Sequence, residues 1–232
     1  MTKNAHKLAD VLTAKVSAFP SLAPKDLFHL VSGFGFLHLL PHSELLFLVE
    51  PYVLHCLPQF TADELNYLAA FYIRLQRGSQ PFLQQMMAHA ALQQEKAGVQ
   101  SQVQLLSVTD AKTLNRKEFK VDFTKEVRLI AKAIVKNINS LGRGQVPVVV
   151  PRLIQYQVGN KAYYEMLAIE FTKHHEDYSF KQKTRLLYWF ALADIDPQFI
   201  MKTATKLCNA YTEAFIQRMH STETPMFGLF TD

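Results

Sequence analysis

The chain has 232 residues, of which 49% are hydrophobic and only 19% are charged. This apolar content excludes a disordered chain, and eight glycines with ten prolines are too few for a Gly-rich nucleotide-binding enzyme or a turn-dense β-sandwich. The two cysteines form neither a disulfide framework nor a zinc motif, and the low charged fraction indicates surface that is covered by partners.

The first 19 residues form a basic, amphipathic stretch. It holds three lysines and one aspartate, and its apolar residues would share one face of a helix: Leu8, Val11, Leu12, Val16 and Phe19. The stretch lacks the continuous apolar centre of a secretory signal. It is similar to an organellar targeting helix but contains no arginine, so we favour an ordinary first helix that packs on the next pair.

Apolar residues then recur at intervals of three and four, which predicts helices. In the first hundred residues we expect helices at 24–39, 44–57 and 82–94, and one that begins at the capping-box motif of Thr61 and Glu64. A shift of 38 positions aligns Leu27 with Leu65, Leu30 with Leu68, Phe34 with Tyr72, Leu37 with Leu75, Leu45 with Leu83 and Leu48 with Met86. Two-helix repeats of this period indicate an α-solenoid of stacked antiparallel helical hairpins.

After residue 100 this register is lost. We interpret residues 101–122 as an irregular polar insertion with a short helix around 110–116, and the helical pattern returns at Phe123. Three consecutive valines favour a strand at 146–156, whereas the flanking Pro147 and Pro151 and the repeat pattern favour a helix, which we prefer. Further helices are predicted at 162–173, 180–193 and 197–219.

These patterns predict an all-α fold with two halves. The N-terminal helical-repeat half would cover residues 1–100 and the C-terminal half residues 123–220, with the polar insertion 101–122 between them. The tail, residues 221–232, contains apolar residues near its end, which we expect to dock on a partner surface.

The positive charge is concentrated in one segment. Residues 111–152 contain ten Lys/Arg and three Asp/Glu, a local charge of +7 in a chain of net charge +5. The intervals of three and four in this segment predict a cationic stripe on one helix face. The predicted polyanion-binding residues are Lys125, Arg128, Lys132, Lys136, Arg143 and Arg152. RNA phosphates or an acidic protein surface could bind there, and an ordinary solvated helix face is the alternative.

The chain lacks the motifs of catalysis and metal binding. Pro41 separates His38 from His42, and the adjacent His174 and His175 would point to different faces of a helix. There is no nucleophile elbow, P-loop or Gly-rich dinucleotide motif. We therefore expect no catalytic residues, cofactor, metal or small-molecule substrate. Tyr156, Tyr163 and Tyr164 lie near basic residues and could stack on bases, whereas the other aromatic residues are expected in the core.

Two segments carry a recurring pattern. They are Leu22-Ala-Pro-Lys-Asp-Leu27, followed by Leu30 and Phe34, and Phe60-Thr-Ala-Asp-Glu-Leu65, followed by Leu68 and Phe71. The pattern resembles the octotricopeptide and heptatricopeptide helical repeats of organellar RNA-processing and ribosome-associated proteins, over residues 21–92 with echoes at Phe123 and Phe180. The tryptophan position of those repeats is Val31 in one copy and Ala69 in the other. The resemblance implies a mitochondrial or plastid helical-repeat protein that binds RNA or is built into a large complex.

With this resemblance, we expect a non-enzymatic structural or adaptor subunit of a large mitochondrial ribonucleoprotein, such as a mitochondrial ribosome, in the matrix. It would contact RNA through the basic helix and proteins through apolar faces. The alternative is an accessory structural subunit of a respiratory-chain or ATP-synthase complex without RNA contact, and an unrecognised enzyme is the third hypothesis. No run reaches the ~18–20 uninterrupted apolar residues of a membrane span, so no transmembrane segment is expected.

Overall fold

The computed structural model describes residue 11 and residues 22–36, 43–109 and 122–221. Every regular element in these residues is helical, which confirms the predicted all-α class. The α-helices are α1 Pro24–Phe36, α2 Ser43–Cys56, α3 Ala62–Leu75, α4 Gln80–Leu92, α5 Val99–Val108, α6 Thr124–Lys136, α7 Val146–Gln155, α8 Lys161–Lys173, α9 Phe180–Leu192 and α10 Pro197–Ser221. The ambiguous segment around Pro147 and Pro151 is therefore helical, as preferred from the sequence.

The chain divides into two compact units, Met1–Gly159 and Asn160–Asp232. In the N-terminal unit, α1 contacts α2 and α3 contacts α4, so that successive helices form pairs. Helices also contact the second helix along the chain: α1 with α3, α3 with α5, α5 with α7, α2 with α4, and α4 with α6. Odd and even helices thus form two series. In the C-terminal unit, α9 packs on α10.

The connections between helices recur at a regular spacing. Three-residue 3-10 turns follow the even helices at Leu57–Gln59, Gln94–Lys96, Ile138–Ser140 and His175–Asp177. Their first residues are 37, 44 and 37 positions apart, close to the period of 38 found in the sequence. The longer interval includes the α5–α6 connection, which runs from residue 109 to residue 123.

The predicted irregular insertion at 101–122 is wrong for its first part, because most of α5 lies there. Ser101 and Gln102 gave that stretch its polar character, yet both are buried in α5 beside Leu105 and Leu106. The predicted halves also differ from the two units, whose boundary follows Gly159. The short helix predicted at 110–116, the tail from residue 222 and the first helix apart from residue 11 lie outside the described residues.

Two of the six pairs in the 38-residue alignment are buried on both sides, whereas in a third pair Leu68 is buried and Leu30 only half-buried. Leu27 and Leu65 are both buried, as are Leu45 and Leu83. The pair of Leu48 and Met86 is wrong, because Met86 is buried and Leu48 is 44% exposed. The next residue of each helix, Val49 or Met87, is buried in both copies. The side chains of Phe34 and Leu37 lie outside the described residues.

Two carboxylates each accept hydrogen bonds from the start of a helix that comes later in the chain. Glu50 of α2 accepts hydrogen bonds from Ser79 at the start of α4, from its N–H at 2.8 Å and its hydroxyl at 2.6 Å. Asp63 of α3 accepts them from the Gly98 N–H at 2.8 Å and the Ser101 hydroxyl at 2.5 Å, at the start of α5. Each acid satisfies backbone or side-chain donors that a helix N-terminus leaves without intrahelical partners, and its charge suits the positive end of the helix dipole.

A buried polar network joins α3 to the segment that leads into α5. Asn66 Nδ2 donates to the Ser101 hydroxyl oxygen at 3.0 Å, and Gln94 Nε2 donates to Asn66 Oδ1 at 2.7 Å. Gln94 Nε2 also donates to the Ala90 carbonyl at 2.7 Å, and Gln102 Nε2 donates to the Gln94 carbonyl at 2.8 Å. Polar side chains can be buried here because they bind one another and the backbone ends of α4.

The connections that follow α3, α7 and α9 each contain a residue in the left-handed conformation: Gln76, Gln157 and Asp194, with φ of 54° or 55°. A β-carbon makes this conformation costly.

Replacing the exposed Gln157 with glycine is therefore expected to raise the free energy of unfolding by about 0.5–1 kcal/mol, measured by urea denaturation. Gln85→Gly, in the exposed face of α4, should instead lower it by about 1 kcal/mol. A loss of stability in both variants would contradict the argument.

Candidate polyanion-binding surface

Helix α6 begins with a local capping arrangement. The Asp122 carboxylate accepts hydrogen bonds from the Thr124 N–H at 2.9 Å and the Thr124 hydroxyl at 2.6 Å. These bonds, with a smaller contribution from the charge of Lys125, hold the pKa of Asp122 below its usual value. Phe123 is buried beside this turn. These contacts hold in place the first turn of α6, in which the basic face begins with Lys125.

Helix α6 separates an apolar face from a basic one. Val127, Ile130 and Ile134 are fully buried, and α6 contacts α4 and α5. Lys125, Arg128, Lys132 and Lys136 are all exposed. Because residues three and four apart share a helix face, these four cations lie along one side of α6. The structure brings together the four stripe residues that the spacing predicted.

Two of the four cations also bind groups of the protein. Arg128 Nε donates to the Tyr156 carbonyl at 3.2 Å, just after the end of α7, where helix carbonyls lack intrahelical partners. Lys136 Nζ lies 2.8 Å from Glu95 Oε1, and this hydrogen bond and charge lower the pKa of Glu95. Both side chains of that pair are largely exposed, so water and salt screen it.

Lys125 and Lys132 are the cations of the stripe with no hydrogen bond or ion pair to any residue in the described part of the chain. Their ammonium groups are exposed and open to an external anion. Arg143, in the 3-10 turn before α7, is exposed as well. Lys125 interacts with the charge of Asp122, but neither Lys125 nor Lys132 would give up a hydrogen bond or ion pair with a described residue on binding a polyanion.

Arg152 does not belong to this surface. It is only 7% exposed, and its Nη1 donates to Gln155 Oε1 at 2.9 Å within α7. Its place in the sequence indicated burial, because it stands three residues after Val149 and four before Tyr156, both of which are buried. Including Arg152 among the surface contacts was therefore wrong.

Two of the tyrosines near the basic segment, Tyr156 and Tyr164, are buried in the core. Tyr156 is buried and its hydroxyl donates to the Thr109 carbonyl at 2.8 Å. Tyr164 is buried in α8, and burial raises the pKa of its hydroxyl. Base stacking needs an exposed ring, so these two tyrosines do not provide the stacking surface that the sequence suggested.

The described residues contain no group of three or more His, Cys, Asp or Glu that could hold a metal ion. His174 Nε2 lies 3.0 Å from Glu170, whereas His175 Nε2 lies 2.9 Å from Glu176, so the two histidines face different acids. His38 and His42 lie outside the described residues. Within the described ranges, no helix is long and apolar enough to cross a membrane.

Comparison with protein-family models, with curated proteins and with solved structures found no match to this chain.

Proposed function

We propose that the protein is a helical-repeat adaptor whose basic helix α6 binds RNA through its phosphates. The observation that carries this proposal is the row of exposed cations on α6, in which Lys125 and Lys132 form no hydrogen bond or ion pair with the described residues. Lysines bind phosphate as point charges, so such a row suits the backbone of RNA rather than the edges of particular bases.

We further propose that the helices of the N-terminal unit form an α-solenoid of stacked hairpins. Contacts between each helix and the second one along the chain support this arrangement, as does the recurrence of 3-10 turns at intervals of 37 and 44 residues. In a solenoid each repeat buries its apolar face only against its neighbours, which produces a long surface for partners.

The setting that we propose is a large mitochondrial ribonucleoprotein in the matrix, such as a ribosome, with this chain as a non-enzymatic subunit. The resemblance of residues 21–92 to octotricopeptide and heptatricopeptide repeats supports that setting. Protein neighbours would cover exposed apolar side chains such as Phe47 and Leu48 of α2.

We expect a specific loss of RNA binding when the charges of Lys125 and Lys132 are reversed. Lys125→Glu with Lys132→Glu should weaken binding of single-stranded RNA to the full chain at least tenfold in low salt. Because each phosphate contact contributes about 0.7 to the slope of log affinity against log salt, the slope should fall by about 1.4. Fluorescence anisotropy at several salt concentrations measures both quantities.

A matched variant separates local binding from net charge. Lys25→Glu with Arg74→Glu makes the same change of charge on α1 and α3, where both side chains are exposed. This control should keep most of the RNA affinity and the full salt slope. Equal losses in the two variants, or RNA binding that survives the α6 change, would refute an RNA site on α6.

The second candidate function is an accessory structural subunit of a respiratory-chain or ATP-synthase complex without RNA contact. Exposed apolar side chains in the C-terminal unit favour a protein-bound subunit of this kind: Ile169, Tyr188, Leu192 and Met201. Mass spectrometry of proteins that co-purify with the native chain after ribonuclease treatment would distinguish the two. Subunits of one energy-converting complex, retained after that treatment, would support the second function and argue against the first.

A further inference from the structure

The C-terminal unit contains a cavity that RNA binding does not use. It lies between α8, α9 and α10 and has a volume of about 370 Å³. Small-molecule pockets commonly have volumes of roughly 300–1,000 Å³, so the cavity is large enough for a ligand. Its walls and its rim have different chemistry, and together they restrict what could bind.

The walls of the cavity are largely apolar. They include Phe171 of α8, Leu187 of α9, and Phe199 and Leu207 of α10. Two threonines also line it, but their hydroxyls donate to carbonyls of their own helices. Thr172 donates to Ala168 and Thr203 donates to Phe199, each at 2.8 Å. These hydroxyls therefore have no proton left to donate to a ligand.

Three lysines supply positive charge around the cavity. Lys183 of α9 and Lys202 and Lys206 of α10 line it, and none forms an ion pair with another residue that the structure describes. Glu176 is the acid among the lining residues, and its Oε1 lies 2.9 Å from His175 Nε2, beside the lysines. Lys202 and Lys206 stand four apart and so share one face of α10.

We propose that this cavity binds a single-chain amphiphile with an anionic headgroup, of the fatty-acid class. Its alkyl chain would lie against Phe171, Leu187 and Leu207, and its carboxylate would accept hydrogen bonds from the ammonium groups of Lys202 and Lys206. An alkyl chain suits walls without free hydroxyl donors, whereas a sugar or nucleotide needs several directional polar partners. A peptide is disfavoured for the same reason, because its backbone polar groups would need partners inside the cavity.

The test is calorimetric titration of the full chain with dodecanoate below its micellar concentration. We expect one binding site per chain, and at least tenfold weaker binding of dodecanol, which has the alkyl chain without the charge. Lys202→Gln with Lys206→Gln should weaken dodecanoate binding at least tenfold, the effect of losing one charge-assisted hydrogen bond. Lys181→Gln with Arg185→Gln, on exposed positions of α9 outside the lining, should leave it within about twofold of the native affinity.

A steric variant tests the location without changing charge. Ala210 and Ala214 are both exposed on α10, but Ala210 lines the cavity and Ala214, one turn later, does not. Ala210→Trp should abolish dodecanoate binding, and Ala214→Trp should preserve it, with circular dichroism checking that both variants remain helical. Equal affinity for dodecanol and dodecanoate, or binding that Ala210→Trp leaves intact, would overturn the proposal.

Vesicles distinguish a free fatty acid from a membrane lipid. Phosphatidylglycerol vesicles should not sediment the chain more than phosphatidylcholine vesicles do, because a diacyl lipid in a bilayer does not present one free chain to a cavity. Sedimentation with phosphatidylglycerol vesicles, without binding of monomeric dodecanoate, would overturn the assignment. Binding of an acidic amphipathic peptide in competition with dodecanoate, and with higher affinity, would also overturn it.

Discussion

Replacing Asn66 with aspartate is expected to lower the free energy of unfolding by about 3–5 kcal/mol at pH 7. The two side chains have nearly the same shape, but the change removes the Nδ2 donor that binds the Ser101 hydroxyl. It also places a carboxylate at a fully buried position, near Asp63, which binds the same serine. Gln94 Nε2 can still donate to one oxygen of the new carboxylate, but a neutral donor does not compensate a buried charge beside another acid, so the folded state would resist its ionisation.

The loss at Asn66→Asp should depend on pH. Burial and the neighbouring acid would raise the pKa of the new carboxyl group in the folded state above its unfolded value, near 3.9. The destabilisation relative to the native chain is then small below about pH 4 and grows as pH rises toward the folded-state pKa. Urea unfolding of both proteins at pH 4, 5.5 and 7 measures this trend.

Asn139 provides the matched position for this experiment. It lies exposed in the 3-10 turn after α6, and Asn139→Asp should change the free energy of unfolding by no more than about 0.5 kcal/mol at any of these pH values. A destabilisation at Asn66→Asp that is the same at pH 4 and pH 7 would show that lost packing, rather than a buried charge, is the cause.

Glu50→Ala is expected to cost about 2–3 kcal/mol of unfolding free energy. Glu50 is buried, and its carboxylate accepts both hydrogen bonds that Ser79 donates at the start of α4. It also lies close enough to Tyr72 that its charge adds to the effect of burial in raising the pKa of that hydroxyl. Removal leaves the Ser79 N–H without its acceptor and opens a space between α2 and α4.

A double-mutant cycle with Ser79→Ala isolates the contact. Ser79→Ala alone removes one of the two hydrogen bonds, so the coupling energy between the two positions should be about 1 kcal/mol. Glu44→Ala, at the exposed start of the same helix, should cost no more than about 1 kcal/mol. Unfolding in urea, followed by circular dichroism, gives all the values. A coupling energy near zero would mean that the hydrogen bond between the Ser79 hydroxyl and the Glu50 carboxylate contributes nothing to stability.

The helices were predictable because their signals are local. The capping box forms as the sequence suggested: Thr61 N–H donates to Glu64 Oε2 at 2.8 Å, and Glu64 N–H donates to the Thr61 hydroxyl at 3.3 Å. The alternation of basic and apolar residues on α6 correctly gave its exposed and buried faces. These features depend on residues within one or two turns, and a single sequence contains that information.

The structure departs from the sequence prediction where polar or charged residues are buried. Ser101 can be buried because its hydroxyl binds Asn66 and Asp63, and Asp63 is 38 positions away in the sequence. Gln102 can be buried because its side chain donates to the Gln94 carbonyl. Arg152 is buried although it is charged, because α7 turns that position toward the core. The contacts of Ser101 have no local signal, since hydrogen-bond partners distant in sequence are visible only in the folded chain, whereas the burial of Arg152 was indicated by its spacing from Val149 and Tyr156.

The two carboxylates that cap later helices, those of Glu50 and Asp63, both lie on the N-terminal side of the helix that they cap. Glu50 precedes Ser79 by 29 positions, and Asp63 precedes Gly98 by 35, so each acid comes before the helix that it caps. During synthesis a chain emerges from its N-terminal end. Each of these acids therefore leaves the ribosome before its helix does and can receive the new N-terminus as it appears. The order of acid and helix along the chain therefore suits folding that proceeds from the N-terminus during synthesis.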